Sequence, residues 1–184
     1  MLLKYLEIKK PLRVFHDHTS KAKLDSLIQE LKAGARAAYI TDAGTPLVSD
    51  PGFSLVQAAL KADISFEAIP GPAAFVTALI ISGLPTHAFT FVGYLPQKEK
   101  ARRDALQGLE GEGRTLIFYE SPYRVLKTLK NMLDIFGDRR ASVSRELTKK
   151  FEETVRGTFS EILAYFEKKK ILGEWVIVVS GKQE

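Results

Sequence analysis

Short apolar runs alternate with amphipathic segments along most of this chain, and that alternation constrains its fold more than any other feature. The first pair is the run LRVF at 12–15 followed by SKAKLDSLIQELKAG at 20–34, whose leucine and isoleucine residues recur at helical spacing. Ser20 is placed to cap this helix and Gly34 to end it. A strand followed by a helix, repeated, predicts a sheet with parallel strand pairs and helices across its faces.

The same order continues to the end of the chain and predicts an α/β fold. Strands are expected at 12–15, 37–40, 64–69, 89–95, 114–120, 141–147 and 174–180. Helices are expected at 20–34, 53–62, within 70–83, and at 98–109, 121–137 and 158–170, while 1–8 reads as the tail of a further helix and 150–157 is left unassigned. Because the pattern restarts after GYLPQ, we expect two α/β domains, 1–94 and 95–184, packed around a cleft.

Composition excludes several classes of protein. The 184 residues are 45% hydrophobic, contain no cysteine, and include no apolar run of the roughly 18 residues that a membrane helix needs. Disulfides and cysteine chemistry are therefore excluded, and we expect a cytoplasmic protein without a membrane partner. The net charge of +5 modestly favours an anionic partner.

Two loops rich in Gly and Pro follow predicted strands and suggest a ligand site. The first is TDAGTPLVSDPG at 41–52, and the second is IPGPAAF at 69–75. Open α/β sheets bind ligands at the carboxyl ends of their strands, although tight packing of strand against helix also uses such turns. Neither loop matches a phosphate-binding motif, and Asp42 and Asp50 favour a neutral or cationic ligand over a polyphosphate.

Two further features have an ordinary explanation and a functional one. His16 and His18 in FHDHTS could bind a metal together with an Asp, but the remaining ligands are unidentified and a helix cap explains them better, so we expect no metal. The run QKEKARRDALQGLEGEGR carries Lys98, Lys100, Arg102 and Arg103, which could contact RNA phosphates or form a solvated helix face.

Six ordered motifs resemble one known family. They are TDAGTPLVSDPG, IPGPAAFVTALIISGLP, FVGYLP, IFYESPYRV, SRELTKKFEE and GEWVIVVSG, and they extend over nearly the whole chain. Together they resemble the bacterial ribosomal RNA small subunit methyltransferase I family, a branch of the tetrapyrrole methylase superfamily. The resemblance implies two α/β domains with S-adenosylmethionine in the cleft, a homodimer, and methylation of a cytidine ribose 2'-hydroxyl in the decoding region of 16S rRNA.

The resemblance also gives the two loops a role. A sulfonium ligand suits the acidic first loop, so both loops and the joint between the domains are expected to bind the methyl donor. The candidate donor-binding residues are Thr41, Asp42, Ala43, Gly44, Thr45, Pro46, Pro70, Gly71, Pro72, Ala73, Ala74, Tyr94 and Leu95.

Methyl transfer to a hydroxyl requires first that the methyl donor and the acceptor oxygen are correctly positioned and oriented. It is faster when a base or a cation lies near the reacting oxygen. The charged residues in the motifs of the second half are the candidates for this work, with surface ion pairs or helix caps as the ordinary alternative. The candidate catalytic residues are Glu120, Arg124, Glu146 and Lys149, with Arg145 beside them.

One departure from the family pattern accompanies the match. Family members usually begin with a further strand and Gly/Pro loop, so we expect this chain to be a shortened form with an incomplete donor site and an unpaired sheet edge. Two other functions stay open, a small-molecule methylase that acts on a precorrin-type tetrapyrrole and a binding module without catalytic activity.

Overall fold

A computed structural model describes residues 2–183, and within these residues the chain forms seven helices and five strands in two compact units, Met1–Gly71 and Pro72–Glu184. The first unit contains the helices α1 (Leu2–Tyr5), α2 (Lys21–Lys32) and α3 (Phe53–Lys61). The second contains α4 (Ala74–Ser82), β1 (Phe89–Tyr94), α5 (Glu99–Gln107), β2 (Thr115–Glu120), α6 (Val125–Phe136), β3 (Arg140–Arg145), β4 (Glu153–Thr158), α7 (Phe159–Phe166) and β5 (Trp175–Val179).

The second unit is built on one mixed sheet of five strands in the order β1-β2-β5-β3-β4. Strand β1 pairs parallel to β2, and the other neighbours pair antiparallel. The last strand of the sequence thus lies in the middle of the sheet. All of its residues are buried, which explains why WVIVV is apolar throughout instead of alternating.

Alternate residues of the central strands face two different helix layers. Leu116 and Phe118 of β2, with Trp175 and Ile177 of β5, pack into the larger core beneath α5, α6 and α7. The residues between them, such as Ile117, face α4 on the other side of the sheet. The period of two along each strand therefore assigns the side chains to the two layers.

A bulge interrupts β1 at Gly93. Phe91 pairs with Ile117 and Gly93 pairs with Phe118, so Val92 is an extra residue in the ladder. Gly93 has a φ of +74°, a left-handed conformation that glycine adopts without steric cost. Bulges often redirect side chains next to functional sites, and here the redirected residue is Tyr94.

The first unit departs from the sequence prediction. Helices form close to the predicted 20–34 and 53–62, and α2 packs against α3 with Ile28 and Ala59 buried. The strands predicted at 12–15, 37–40 and 64–69 are wrong for the described residues, which form no sheet ladder there. A strand needs a hydrogen-bonded neighbour, and none of these segments has one, so their apolar side chains stay largely exposed.

In the second unit the predicted strands and helices form near their expected positions, and the unassigned segment 150–157 supplies most of β4. The predicted α/β fold class is confirmed by this mixed sheet and its helices. The compact units divide at 71/72, so 72–94 packs with the second unit, and the domain boundary at 94/95 stays a prediction. None of the helices in residues 2–183 has the length and apolar character needed to cross a membrane.

Candidate active site

The predicted catalytic residues lie at one end of the five-stranded sheet. Across this end the strand register pairs Glu120 with Trp175, and Trp175 with Arg145. On the far side Arg145 pairs with Glu153, and Glu146 and Lys149 lie in the loop that follows β3. Strands β2 and β3 are two strand spacings apart, roughly 10 Å, so the candidates form two separate groups on either side of β5.

Glu120 is a buried carboxylate with three hydrogen-bond and ion-pair partners. It is 1% exposed, and its Oε1 accepts the Ser121 backbone N–H at 2.8 Å. Oε2 accepts the Thr128 hydroxyl at 2.7 Å, and the Arg124 guanidinium lies 2.7 Å from Oε1. Three of the roughly four acceptor positions of a carboxylate are thus occupied, which leaves little capacity to accept a proton from a substrate.

Arg124 is the cation that Glu120 positions. It stands just before α6, its side chain keeps 20% exposure, and its Nη1 lies 3.4 Å from the Leu95 carbonyl oxygen. A guanidinium held between a buried carboxylate and a backbone carbonyl has few orientations, because both contacts constrain the planar group. The remaining N–H groups of Arg124 can therefore present a fixed positive charge at this end of the sheet.

Tyr119 connects the start of α4 with the end of β1. Its hydroxyl accepts the Phe75 backbone N–H at 3.2 Å, and its ring lies 5.6 Å from the ring of Tyr94. This places the predicted donor-binding residues Ala73 and Ala74, which lead into Phe75, near Tyr94. Sequence reasoning did not select Tyr119, although its position one residue before Glu120 at a strand end was a usable signal.

Leu95 differs from its predicted role in one respect. Its side chain is 3% exposed and belongs to the larger core, and its carbonyl faces Arg124. A ligand contact from Leu95 would therefore have to use its backbone N–H. Tyr94 is 56% exposed and is the more accessible of the two predicted residues.

Glu146 and Lys149 form a second group with Glu174. Lys149 Nζ lies 2.9 Å from a Glu174 carboxylate oxygen and 3.2 Å from Glu146 Oε1, which also accepts the Glu174 N–H. The Glu174 carboxylate and then that of Glu146 raise the pKa of Lys149, while the Glu174 N–H and then Lys149 lower the pKa of Glu146. Lys149 is protonated at neutral pH and cannot accept a proton, and the lowered pKa of Glu146 makes its carboxylate a weak base, so neither is suited to remove a proton.

Gly173 allows this second group to form. A Cβ at Gly173 would lie 2.5 Å from Glu146 Cγ, and its φ is +84°. Glu146 and Thr148 also have positive φ values, of 51° and 64°. Left-handed backbone is costly for such residues, and its accumulation in one loop is typical of functional segments.

The loop at 41–52 is tied together by its own contacts. The Thr41 hydroxyl lies 3.2 Å from the Ala43 carbonyl and 3.1 Å from that of Gly44. At its far end the Tyr39 hydroxyl donates to the Pro51 carbonyl at 2.9 Å. These bonds fix both ends of the loop, as its Gly and Pro content predicts.

The second loop reaches the first within the same unit. A Cβ at Gly71 would lie 3.2 Å from the Thr45 hydroxyl oxygen, so the backbone at Gly71 approaches the first loop more closely than a larger residue permits easily. The predicted donor-binding residues of the two loops thus meet at Thr45 and Gly71. Several of the others are exposed, namely Asp42, Ala43, Gly44, Pro70, Pro72 and Ala74.

The structure also corrects the interpretation of the charged run. Arg102 is 3% exposed and donates to the Asn131 side chain at 2.9 Å and to the Gln97 carbonyl at 3.1 Å. Neither alternative for the charged run, RNA contact or a solvated helix face, holds for Arg102, because its guanidinium is buried and bonded inside the protein. Arg103 forms an ion pair with Asp134 at 2.9 Å.

The histidine pair makes local contacts. His16 Nδ1 accepts the His18 N–H at 3.1 Å, and the Asp17 carboxylate lies 3.4 Å from the Gly52 N–H. Residues 2–183 contain no group of three or more His, Asp or Glu side chains placed to hold a metal ion.

Known proteins similar to this chain can now be compared with this geometry. The family model of Tetrapyrrole (Corrin/Porphyrin) Methylases matches residues 3–163. A ribosomal RNA small subunit methyltransferase I from Thermotoga maritima is 43% identical over 183 residues, which is 100% of this chain and 82% of the relative. Proteins of the same name from Halalkalibacterium halodurans and Micromonospora olivasterospora are 45% and 44% identical, and the chain spans 63% and 59% of their lengths.

Solved structures support the fold at lower identity. The crystal structure of uroporphyrin-III-C-methyltransferase from Thermus thermophilus matches 87% of this chain and 70% of its own with a TM-score of 0.60 and 21% identity. The cobalt precorrin-4 methyltransferase CbiF matches 95% of this chain and 77% of its own with a TM-score of 0.62 and 14% identity. On the family model and the relatives together, this chain belongs to the ribosomal RNA small subunit methyltransferase I family of tetrapyrrole methylases.

Proposed function

We propose that this chain is an S-adenosylmethionine-dependent methyltransferase that methylates the ribose 2'-hydroxyl of a cytidine in the decoding region of 16S rRNA. Membership of the family and the names of the relatives support methyl transfer to small-subunit rRNA. The single structural observation that carries the proposal is Arg124, a cation fixed by Glu120 at the end of the sheet. A fixed cation is what a developing alkoxide requires.

The loops at 41–46 and 70–74 fit a methyl donor. Gly71 brings its backbone close to Thr45 without a side chain between them, and Asp42, three residues before Thr45, is exposed. A carboxylate favours a sulfonium cation over a phosphate, which agrees with the absence of a phosphate-binding motif. We assign donor binding to 41–46 and 70–74, with Tyr94 and the backbone of Leu95.

The bound donor would supply a methyl group on a sulfonium, which leaves as a neutral thioether when the ribose oxygen forms its new bond to carbon. The protein then has to orient the oxygen and stabilise its developing charge. We assign the second task to Arg124 and give Glu120 a positioning role, since its carboxylate is occupied by three donors. The proton of the hydroxyl would leave to solvent water.

Glu146 and Lys149 take a different role in this proposal. Because they hold each other and Glu174, they would shape the loop after β3 and do not act as base and acid. Of the four catalytic candidates, this proposal retains Arg124 as the catalytic cation and Glu120 as the carboxylate that positions it.

Transfer of a radiolabelled methyl group from S-adenosylmethionine to small ribosomal subunits that lack this modification tests the proposal. Arg124→Gln should lower kcat by about a hundredfold, as expected when one charge-stabilising donor is lost. The matched control is Arg114→Gln, since Arg114 is an ion-paired arginine at the opposite end of β2. Equal activity of the two variants would remove Arg124 from the reaction, and mapping of the modified nucleotide would test the cytidine assignment.

Donor binding is tested separately by isothermal titration calorimetry. Gly71→Val should weaken binding of S-adenosylmethionine, because the side chain would displace Thr45. Gly111→Val is the control, since a Cβ at Gly111 has no heavy atom within 4 Å. If both variants bind the donor as the unsubstituted chain does, the loops are not the donor site.

The other two functions are outcomes of the same experiments. Methylation of a precorrin-type substrate and not of small subunits would favour the small-molecule methylase, and absence of donor binding would favour a binding module. We further propose a cytoplasmic homodimer on the basis of the family resemblance. Sedimentation equilibrium would contradict the dimer if it gave the mass of a single chain.

A further inference from the structure

A groove opens beside the second group of charged residues and has no role in the function proposed above. Its volume is about 510 Å³, and it is lined by Arg145, Glu146, Phe151, Lys169, Lys170, Leu172 and Gly173. Two loops form it, the one between β3 and β4 and the one between α7 and β5. Both loops lie at the end of the sheet that carries Glu120 and Arg124.

The groove presents apolar side chains to solvent. Phe151 is 68% exposed and Leu172 is 53% exposed, although each could have been polar at no cost to the core. The Lys150 ammonium lies 5.6 Å from the centre of the Phe151 ring. An exposed aromatic ring flanked by cations is the arrangement on which nucleic-acid bases stack in single-strand-binding proteins.

The charges of the groove favour an anionic occupant. Its lining contains three cations and one carboxylate. That carboxylate, Glu146, is already bound to Lys149, and the neighbouring Glu153 lies between Arg145 and Lys169 at 2.8 and 2.5 Å. Among the described residues Lys150, Lys168 and Lys170 make no ion pair, so their charges remain available to a phosphate.

We propose that this groove binds an unpaired nucleotide of the substrate RNA next to the nucleotide that is methylated, with its base on Phe151 and its phosphate at Lys170. The inference rests on the proposed function, since it assigns a surface to the same substrate. Arg145 in the groove and Glu120 at the catalytic group are both paired with Trp175, so the two sites are separated by roughly 10 Å. A flanking nucleotide can span this separation. RNA recognition generally uses such unstacked bases.

Fluorescence anisotropy with a short labelled oligocytidylate tests this assignment across a range of salt concentrations. Phe151→Ala should weaken binding by about fivefold to a hundredfold, the cost of losing one base–aromatic stack. Phe151→Leu should weaken it nearly as much, because the apolar volume remains but the ring is lost. Lys170→Ala should reduce the slope of log K against log salt by about 0.7, the value for one phosphate contact on a single strand.

Lys182→Ala is the matched control, since Lys182 is an exposed lysine beyond the opposite end of β5. If it changes the salt slope as much as Lys170→Ala does, the groove makes no specific contribution and the inference is wrong. Photocrosslinking from a 4-thiouridine next to the target should label the peptide that contains Phe151, and labelling confined to other peptides contradicts the assignment.

Donor titration on the same variants separates this inference from the proposed function. Unchanged S-adenosylmethionine binding with weakened RNA binding supports the groove as an RNA site. RNA binding that is unaffected by Phe151→Ala and Lys170→Ala overturns the groove while it leaves the proposed methyltransferase intact. An unsubstituted chain that binds donor but no RNA overturns the groove and the rRNA substrate together.

Discussion

In the second compact unit every residue of β5 is buried, whereas in the described part of the first only Ile28 and Ala59 are buried among the apolar side chains. Both units come from the same alternation of apolar and amphipathic segments. The apolar runs of the second unit are central strands with partners on both sides. Those of the first leave Val14 85% and Ile69 76% exposed.

The difference between the two units shows that the predicted strands depend on tertiary structure more than the predicted helices do. A helix satisfies its own backbone groups, so α2 and α3 form wherever the local sequence favours them. A strand satisfies its backbone only through a neighbour, so an apolar run becomes a strand only where a partner is present. The first unit therefore keeps its predicted helices and lacks its predicted strands.

The largest expected effect comes from truncating one buried side chain of the second unit, compared with one apolar but exposed side chain of the first. Phe118→Ala should lower the free energy of unfolding by about 3–5 kcal/mol, because Phe118 is completely buried beneath α6 and α7. Val14→Ala should change it by less than about 0.5 kcal/mol, since Val14 is 85% exposed. Urea denaturation measures both, and equal losses would show that the apolar residues of the first unit are buried in solution.

The sequence predicted those features of the fold that depend on local sequence pattern, but not those that depend on contacts between distant residues. Helix positions were predictable in both units because they follow from spacing and from end signals such as Gly34. The position of β5 in the middle of the sheet was not predictable, since strand order depends on pairing between residues far apart in the chain. The segment around β4 was left unassigned because ETVRGT alternates only weakly between apolar and polar residues.

The candidate site residues could be proposed from the sequence, but the contacts that they make could not. Glu120 and Arg124 stand out at the end of an apolar run, yet only the structure shows that Thr128, eight residues later, occupies the second carboxylate oxygen. Arg102 resembled its neighbours in a charged run, and its burial depends on Asn131 in another helix. The charge of a residue in the sequence therefore does not predict whether its side chain lies on the helix face that packs against the core.

Substitution of Gly52 tests whether the loop at 41–52 of the first unit is ordered. Its φ is +126°, and a Cβ there would lie 2.6 Å from the Tyr39 ring, so Gly52→Ala should destabilise the loop by about 2 kcal/mol or more. Gly34→Ala is the control, because Gly34 also has a positive φ but has nothing within 4 Å of a Cβ. Hydrogen exchange at Leu55 and Val56, whose N–H groups bond to the Gly52 carbonyl, should accelerate more in Gly52→Ala.

The same substitution should be visible in the ionisation of Tyr39. Burial, followed by the charges of Asp17 and Asp50, raises the pKa of Tyr39. Displacement of its ring by the methyl group that Gly52→Ala introduces should return this pKa toward the ordinary value near 10. NMR titration of the labelled tyrosine measures it, and an unchanged pKa would show that the loop accommodates the methyl group without moving the ring.

The electrostatics of the two units can be compared at two carboxylates, Glu153 in the second unit and Glu30 in the first. Burial opposes ionisation of Glu153, but hydrogen bonds from Lys169 and Tyr165 and the charge of Arg145 outweigh it and lower the pKa. A carboxyl with a lowered folded pKa stabilises the fold above its unfolded pKa near 4.3, and this contribution is lost as pH falls through the folded value. Glu153→Gln should therefore cost about 1 kcal/mol at pH 7 and progressively less in acid.

Glu30 provides the control for this pH dependence. It pairs with Arg13 at 2.8 Å in the first unit, and a hydrogen bond from Arg13 lowers its pKa, but the two side chains are 42% and 62% exposed. Solvent screens such a pair, so Glu30→Gln should change stability less than Glu153→Gln at pH 7. Equal changes, or a Glu153→Gln effect that is independent of pH, would contradict the assignment.

The smallest expected effect concerns the helix caps. Thr158 and Glu161 form a reciprocal capping box at the start of α7, in which the Thr158 hydroxyl accepts the Glu161 N–H and the Glu161 carboxylate accepts the Thr158 N–H. Ser20 stands at the same position before α2 but makes no such bond with its side chain. Thr158→Ala should therefore cost about 1 kcal/mol in urea denaturation, and Ser20→Ala a few tenths at most. If the two substitutions cost the same, the Ser20 hydroxyl caps α2 in solution, and the first unit is more ordered at its helix ends than its exposed apolar segments indicate.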